Sequence, residues 1–200
     1  IERDQISKEL AEFAARTSQG HIGIAKHLAT NQQSRDNRLA TLKIPFTIKS
    51  IATAYKAAEL LVNSAKAQAE ADAENRDEAE LANLKQAWGS TGSKMASGGA
   101  KAIKELEKEQ KTRSTRMVRD YLDRALLDLA TLYRDVLLVQ SGSGDNLINQ
   151  DIKDEITKIS SSTTDSKTLV KIQAILKARV NLAHNAAPLL TTESLMCELW

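Results

Sequence analysis

The run from Thr112 to Gln140, TRSTRMVRDYLDRALLDLATLYRDVLLVQ, constrains the fold of this chain more than any other stretch. Val118, Leu122, Ala125, Leu129, Leu132, Val136 and Val139 recur at steps of three and four, which aligns them along one side of an α-helix. Tyr121, Leu126, Tyr133 and Leu137 widen that line into a face broader than a two-stranded coiled-coil seam, the width expected of the central helix of a bundle. Arg119, Asp120, Asp123, Arg124, Asp128, Arg134 and Asp135 fall on the other side, where the expectation is water or a charged partner. The helix is expected to stop at SGSGDN, Ser141 to Asn146, with its glycines and Asp-Asn pair.

The rest of the chain is also built for helix. Among 200 residues there are only two prolines and 4% aromatics, and no long alternating Val/Ile/Thr run signals a strand. An all-α fold follows, long enough to bury a real core. From the N-terminus, Ser7 is placed to cap a helix over Lys8 to Thr17, which Gly20 breaks. A second helix is expected from His21 or Ile22 to Ala29, and a third from Gln32 to Leu42 with Arg35, Asp36 and Arg38 outside. Pro45 interrupts the pattern, and Thr47 is the expected cap of the next helix, Ile48 to Val62.

Ser64 to Ala87 is nearly all Ala, Glu, Asp, Lys, Asn and Gln, a helix by propensity with little to bury. It is expected to be exposed and, with Lys101 to Lys111, to form an antiparallel arm over 64–111 around the small-residue loop Gly89 to Ala100, the segment most prone to disorder. Beyond the central helix the pattern predicts helices over Asn149 to Ile159 and Lys167 to Asn185, separated by the loop Ser160 to Ser166 with caps at Thr164 or Asp165. Pro188 sets the last turn, and Thr191 or Thr192 starts a terminal helix.

Several function classes lose their support at this level. With 28 basic and 26 acidic side chains the net charge is +2, too little to argue for direct nucleic-acid binding. No apolar run approaches the roughly 20 residues of a membrane helix. One cysteine, Cys197, excludes an internal disulfide and suits a reducing cytoplasm. The chain opens at Ile1 inside what reads as a helix approach, so it is expected to be a fragment of a longer protein.

GSTGSK, Gly89 to Lys94, has the glycine, serine and lysine of a phosphate loop but neither its spacing nor a preceding strand, and reads as a hinge. His21, His27 and His184 lack ligand spacing, so no metal site is expected. Asp120 with Asp123, and Asp151 with Asp154 or Glu155, read as solvated faces. The basic stretch Lys108, Lys111, Arg113, Arg116, Arg119 and Arg124 is interleaved with Glu105, Glu107, Glu109, Asp120 and Asp123, which favours ion pairing over DNA contact. No catalytic constellation emerges, and no enzyme or cofactor is expected.

The segment RDYLDRALLDLATLYRDVLLVQSGSGDNLINQD, Arg119 to Asp151, with LVKIQAILKARVNLAHNAAPLLTTESLMCEL, Leu169 to Leu199, resembles the C-terminal domain of the actinobacterial form of the DNA polymerase III delta-prime family, a clamp-loader subunit. LAEFAARTSQGHIGIAKHLA, Leu10 to Ala29, is similar to the lid of the AAA+ module that precedes this domain in the family. In ATP-hydrolysing relatives the lid helix begins Gly-x-x-Arg; here Gly20, His21, Ile22 and Gly23 put glycine at the arginine position, a departure that suits a non-hydrolysing stator.

The resemblance implies a lid-like subdomain over 1–44 and a helical collar over 45–200, packed against gamma/tau-type and delta-type subunits. Sliding clamp and primed DNA would then be met only through the full complex, in the cytoplasm. The interface candidates are Arg119, Asp123, Arg124, Tyr133, Arg134, Leu199 and Trp200, although a tyrosine in such a pattern is more often core than recognition. The isolated fragment is expected to bind neither ATP nor DNA strongly. The other function class is a helical adaptor unrelated to replication, with the arm from Ser64 to Lys111 as its working surface.

Overall fold

In a computed structural model, which describes residues 6–88 and 98–200, the chain is all-α. The elements are α1 (Lys8–Thr17), α2 (Ile22–Thr30), α3 (Gln32–Thr47), α4 (Ile51–Ala87), α5 (Gly99–Gln140), a 3-10 turn (Gln150–Ile152), α6 (Lys153–Ser162), α7 (Asp165–Ala183) and α8 (Pro188–Leu199). No helix among the described residues is long and apolar enough to cross a membrane.

The expected central helix is the last two thirds of α5, which runs unbroken for 42 residues. Much of its apolar side is covered: Leu122, Leu126, Leu129, Leu132 and Val136 are buried together with Tyr133, and Val118, Tyr121, Ala125, Leu137 and Val139 are half-buried. Cross-helix contacts give the directions of its neighbours. Asp77 meets Arg113 while Asp72 meets Tyr121, so α4 runs antiparallel to α5. Asp123 meets Arg179 while Gln140 meets Thr163, so α7 does too. The short α8 packs on both α4 and α7, closing a four-helix ring of α5, α4, α8 and α7. Inside it lies the main core, with Ala54, Ala58, Leu61 and Val62 from α4, Ile175 and Leu182 from α7, and Leu195, Met196 and Leu199 from α8.

A second core lies against the C-terminal part of α5, where Leu132 and Val136 meet Leu42 of α3, Leu147, and Ile152 and Ile156 around α6. A small third cluster, Ala14, Leu28 and Ala29, holds α1 to α2. The boundary expected between Ile44 and Pro45 falls inside α3, which packs on α4 and α5 as well as on α2. Pro45 stands one turn from the end of that helix. There it removes only its own donor to the Thr41 carbonyl, and the helix continues to Thr47.

Two expected caps move and one holds. The start of α4 is fixed by Ser50, whose Oγ accepts from Thr53 N while Thr53 Oγ1 accepts from Ser50 N, so Thr47 is the last residue of α3 and caps nothing. Pro188 is the first residue of α8, with Thr191 and Thr192 buried inside the helix. Thr164 caps α7 as expected, accepting from Lys167 N, but α6 runs on to Ser162 through the expected loop.

The Ala-rich stretch is not a separate exposed element. It continues α4 without a break, and Ala65, Ala69 and Ala73, four apart, are buried against α5. Small side chains let the two backbones approach closely there. Past Ala73 no residue of α4 is buried, and the pair leaves the bundle as a two-helix arm. Arg113 holds it by pairing with Asp77 and Glu80, and Gln110 donates to the Asp77 carbonyl. Of the loop expected over Gly89 to Ala100, Gly99 and Ala100 open α5; 89–97, including the glycine, serine and lysine of GSTGSK, lie outside the described residues.

Candidate functional site

The most chemically distinctive place in the molecule is a buried polar cluster between α3, α5 and the turn after α5. Asp128 and Asp135 lie seven apart on α5 and share a side with Thr131. Arg38 reaches across from α3 and donates from Nε to Asp128 Oδ1 at 3.2 Å, and its Nη2 donates to Asn149 Oδ1. Asn149 is wholly enclosed: its backbone N donates to Asp135 Oδ2 at 2.7 Å, and its side-chain amide donates to Asp135 Oδ2 at 2.8 Å and to Thr131 Oγ1 at 3.2 Å. Asp135 also accepts from Ile148 N at 3.1 Å and from Arg134 at 2.8 Å. Asp151 adds a more distant carboxylate 3.8 Å from Arg38, and Arg38 stacks over the Phe13 ring of α1. Arg16 of α1 donates to the Ile148 carbonyl, so the same turn is tied to the first helix.

This cluster corrects three sequence assignments. Arg38 was expected outside, and Asp128 and Asp135 on the side left to water or a charged partner; they are 4%, 4% and 0% exposed, inside the chain. The reason is that they satisfy one another, which lets charge be buried without an orphan group. Burial pushes the Asp128 carboxyl above the usual carboxylate range, with Arg38 and Arg124 drawing it part of the way back. The cluster thus joins α3, α5 and the turn after α5, while Arg38 and Asp128, whose remaining contacts to Asp151 and Arg124 are at 3.8 Å, also line the neighbouring cleft.

Next to it, α2, α3, α4 and α5 enclose an open cleft of ≈ 500 Å³. His21, Gly23 and His27 reach it from α2, and Gln68, Tyr121 and Arg124 from α4 and α5. Its polar groups are largely engaged. The His21 ring Nδ1 caps α2 by accepting from Ile24 N at 3.2 Å, His27 Nε2 lies 2.6 Å from Ser34 Oγ, and the Tyr121 hydroxyl donates to Asp72. Burial lowers the Arg124 pKa, the nearby Asp128 carboxylate opposing the shift. No set of three His, Cys, Asp or Glu among the described residues is placed to hold a metal ion.

The expected lid motif sits at this cleft. Gly20 has φ +84°, the left-handed turn that ends α1 and suits a glycine. His21 is the N-cap of α2, and Ile22 is 85% exposed at its first position. A side chain at Gly23 would meet the His21 ring, its Cβ 3.2 Å from Cε1.

The interface candidates separate into two groups. Asp123 is taken by Arg179, with Nε and a terminal nitrogen donating at 2.7 and 2.9 Å, and Arg134 stays 47% exposed beside Asp135. Arg124 leans toward Asp128 at 3.8 Å, and Arg119 is half-buried with an Nε that has no acceptor among the described residues. Trp200 is 58% exposed. Tyr133 and Leu199, by contrast, are 2% exposed each and lie inside the chain's own core, so neither offers surface to a neighbour. Lys171 covers both, its ammonium over the Tyr133 ring and donating to the Leu199 carbonyl at 2.6 Å.

Apolar residues of the last two helices also provide surface. Leu169 and Leu176 of α7 are each 46% exposed, and the same helix exposes Val170 and Val180. At the start of α8 Leu189 and Leu190 are exposed as well. The signal was present: α7 has apolar residues on too many sides for one buried face. Comparison with protein-family models, with curated proteins and with solved structures gives no match to this chain.

Proposed function

We propose that this chain is a subunit-assembly region of a DNA polymerase III clamp loader, the lid and collar part of a delta-prime-type subunit. In this role it performs no chemistry. It packs against gamma/tau-type and delta-type subunits through its collar, so that the assembled complex can load the sliding clamp on primed DNA in the cytoplasm. The reading rests on the resemblance of Leu10 to Ala29, Arg119 to Asp151 and Leu169 to Leu199 to that family, and on one structural observation. The last two helices carry Leu169, Val170, Leu176, Val180, Leu189, Leu190 and Trp200 on the outside. Apolar side chains gathered in that number on adjoining elements favour a covering neighbour, whereas single exposed ones do not.

The polar groups are consistent with a role without catalysis. The buried carboxylates are bound to Arg38 and Asn149, and the lid motif has Gly23 where a phosphate-sensing arginine would stand. Mixing the chain with the collar domain of an ATPase clamp-loader subunit tests the proposal: a defined complex is expected in sedimentation velocity. Persistent absence of that complex would move the assignment to a helical adaptor of another system, working through the α4–α5 arm.

A further inference from the structure

The cleft between α2, α3, α4 and α5 has a floor that the hydrogen bonds of the buried cluster leave incomplete. Asp128 is 4% exposed and its Oδ1 accepts from Arg38, but its Oδ2 accepts no hydrogen bond among the described residues. The cation beside that oxygen is Arg124, whose Nε stands 3.8 Å away, beyond hydrogen-bonding range. Arg124 makes no hydrogen bond among the described residues either, and its side chain is only 22% exposed. Both residues line the cleft. Burial raises the pKa of the carboxyl and lowers that of the guanidinium, so for each group desolvation outweighs the partners it has. One helical turn of α5 therefore sets a fork of donors beside an open acceptor.

Such a pair is completed by a ligand that brings an acceptor for the guanidinium and a donor for the carboxylate. The charge of the lining narrows the choice. Arg38 and Arg124 stand against Asp72, Asp120 and Asp128, which leaves one negative charge in excess when His21 and His27 are neutral. A phosphate or a dicarboxylate would add to that excess and is disfavoured. At the rim Asp120 is exposed, with no hydrogen bond or ion pair among the described residues, and the exposed Asp72 accepts only from the Tyr121 hydroxyl. Ile24, Leu28 and Met117 supply carbon surface between floor and rim, and ≈ 500 Å³ is within the range of pockets that hold small organic molecules.

We infer that this cleft binds a free α-amino acid, its carboxylate on Arg124, its ammonium on Asp128 Oδ2, and a basic side chain lying along the apolar wall toward Asp120 and Asp72. A guanidinium offers a carboxylate two N–H groups at once, and the ammonium supplies the donor that Oδ2 lacks. With two positive charges and one negative, a basic amino acid neutralises the lining. The site lies within one chain and away from the apolar surface of α7 and α8, so the inference does not rest on the clamp-loader reading.

Titration calorimetry of the chain with L-arginine, L-leucine, L-glutamate, agmatine and inorganic phosphate tests it. L-Arginine is expected to bind, with L-glutamate and phosphate at least about tenfold weaker. Agmatine, the same cation without the carboxylate, is also expected to bind about tenfold more weakly than L-arginine. In Arg124→Gln that advantage of L-arginine over agmatine is expected to vanish, which a merely structural role of Arg124 would not produce. In Asp120→Asn the preference for L-arginine over L-leucine is expected to shrink. Met117→Trp fills the cleft while leaving every charge in place and is expected to abolish binding. Arg116→Gln, at an exposed arginine of α5 outside the cleft, is expected to leave L-arginine binding within about twofold.

Circular dichroism melts confirm that each variant is folded, and Arg124→Gln and Met117→Trp test the site independently should one of them fail to fold. No binding of L-arginine to the folded chain overturns the inference. So does glutamate or phosphate binding as tightly as L-arginine, an arginine advantage over agmatine that persists in Arg124→Gln, or binding that a folded Met117→Trp leaves unchanged. None of these results bears on the complex with the ATPase-subunit collar, whose presence or absence is read separately.

Discussion

Arg38 and Asp128 are the residues on which the junction of α3 with α5 depends. Asp128→Ala removes the acceptor that Arg38 donates to and leaves a guanidinium in an almost dry site, which is expected to cost about 3–5 kcal/mol in urea unfolding. Replacing both partners, Arg38→Met with Asp128→Leu, removes both charges and is expected to recover much of that loss, a comparison that separates a missing partner from a missing attraction. The carboxyl also gives a pH signature. Burial raises its folded pKa above the unfolded value, so the folded state holds that proton more tightly. The Asp128 contribution is then fully present below the unfolded pKa and declines as pH rises through the folded pKa. Urea midpoints of wild type and Asp128→Ala compared from acid upward are therefore expected to converge with rising pH. A gap that widens would contradict the sign. None of this was legible in the sequence, because an aspartate on a charged flank looks the same whether water or an arginine ninety residues away in sequence satisfies it.

At the scale of elements the helices were legible because periodicity repeats, and their ends were less so because an end depends on one or two hydrogen bonds. Thr47 and Ser50 are both acceptable caps by type. The reciprocal bonds between Ser50 and Thr53 decide for the second, and Pro45 is tolerated because so little helix follows it. Patterning also underestimated the arm, since it weights large apolar residues and the α4–α5 seam is made of alanines. Close approach is what those alanines provide, so Ala69→Leu is expected to destabilise by about 1–3 kcal/mol in thermal unfolding, whereas the same change at the exposed Ala71 is expected to be nearly neutral. The outer end of the arm has an acid-side sensitivity. Hydrogen bonding from Arg113 holds the Glu80 pKa below its usual value, so its contribution is present above the unfolded pKa and lost as pH falls through the folded one. Glu80→Gln is expected to flatten the acid limb of the melting-temperature profile of the arm; an unchanged acid limb would show that the ion pair contributes nothing there.

Over the whole molecule, the bundle order of α5, α4, α8 and α7 leaves α7 with one side covered and α8 with its first turn apolar and exposed. The fold class could be read from composition and from α5 alone. The exposed apolar surface could not, because inward and outward apolar residues on α7 are distinguished only once its neighbours are known. Leu199 and Tyr133 show the same limitation from the other side, as interface candidates enclosed by the core. The central claim is that this chain acts by being packed against sibling subunits. Sedimentation velocity of an equimolar mixture with the collar domain of a clamp-loader ATPase subunit tests it most directly. The account predicts a faster-moving complex that Leu176→Asp disperses, and two independent boundaries at every concentration for the unaltered chain would contradict it.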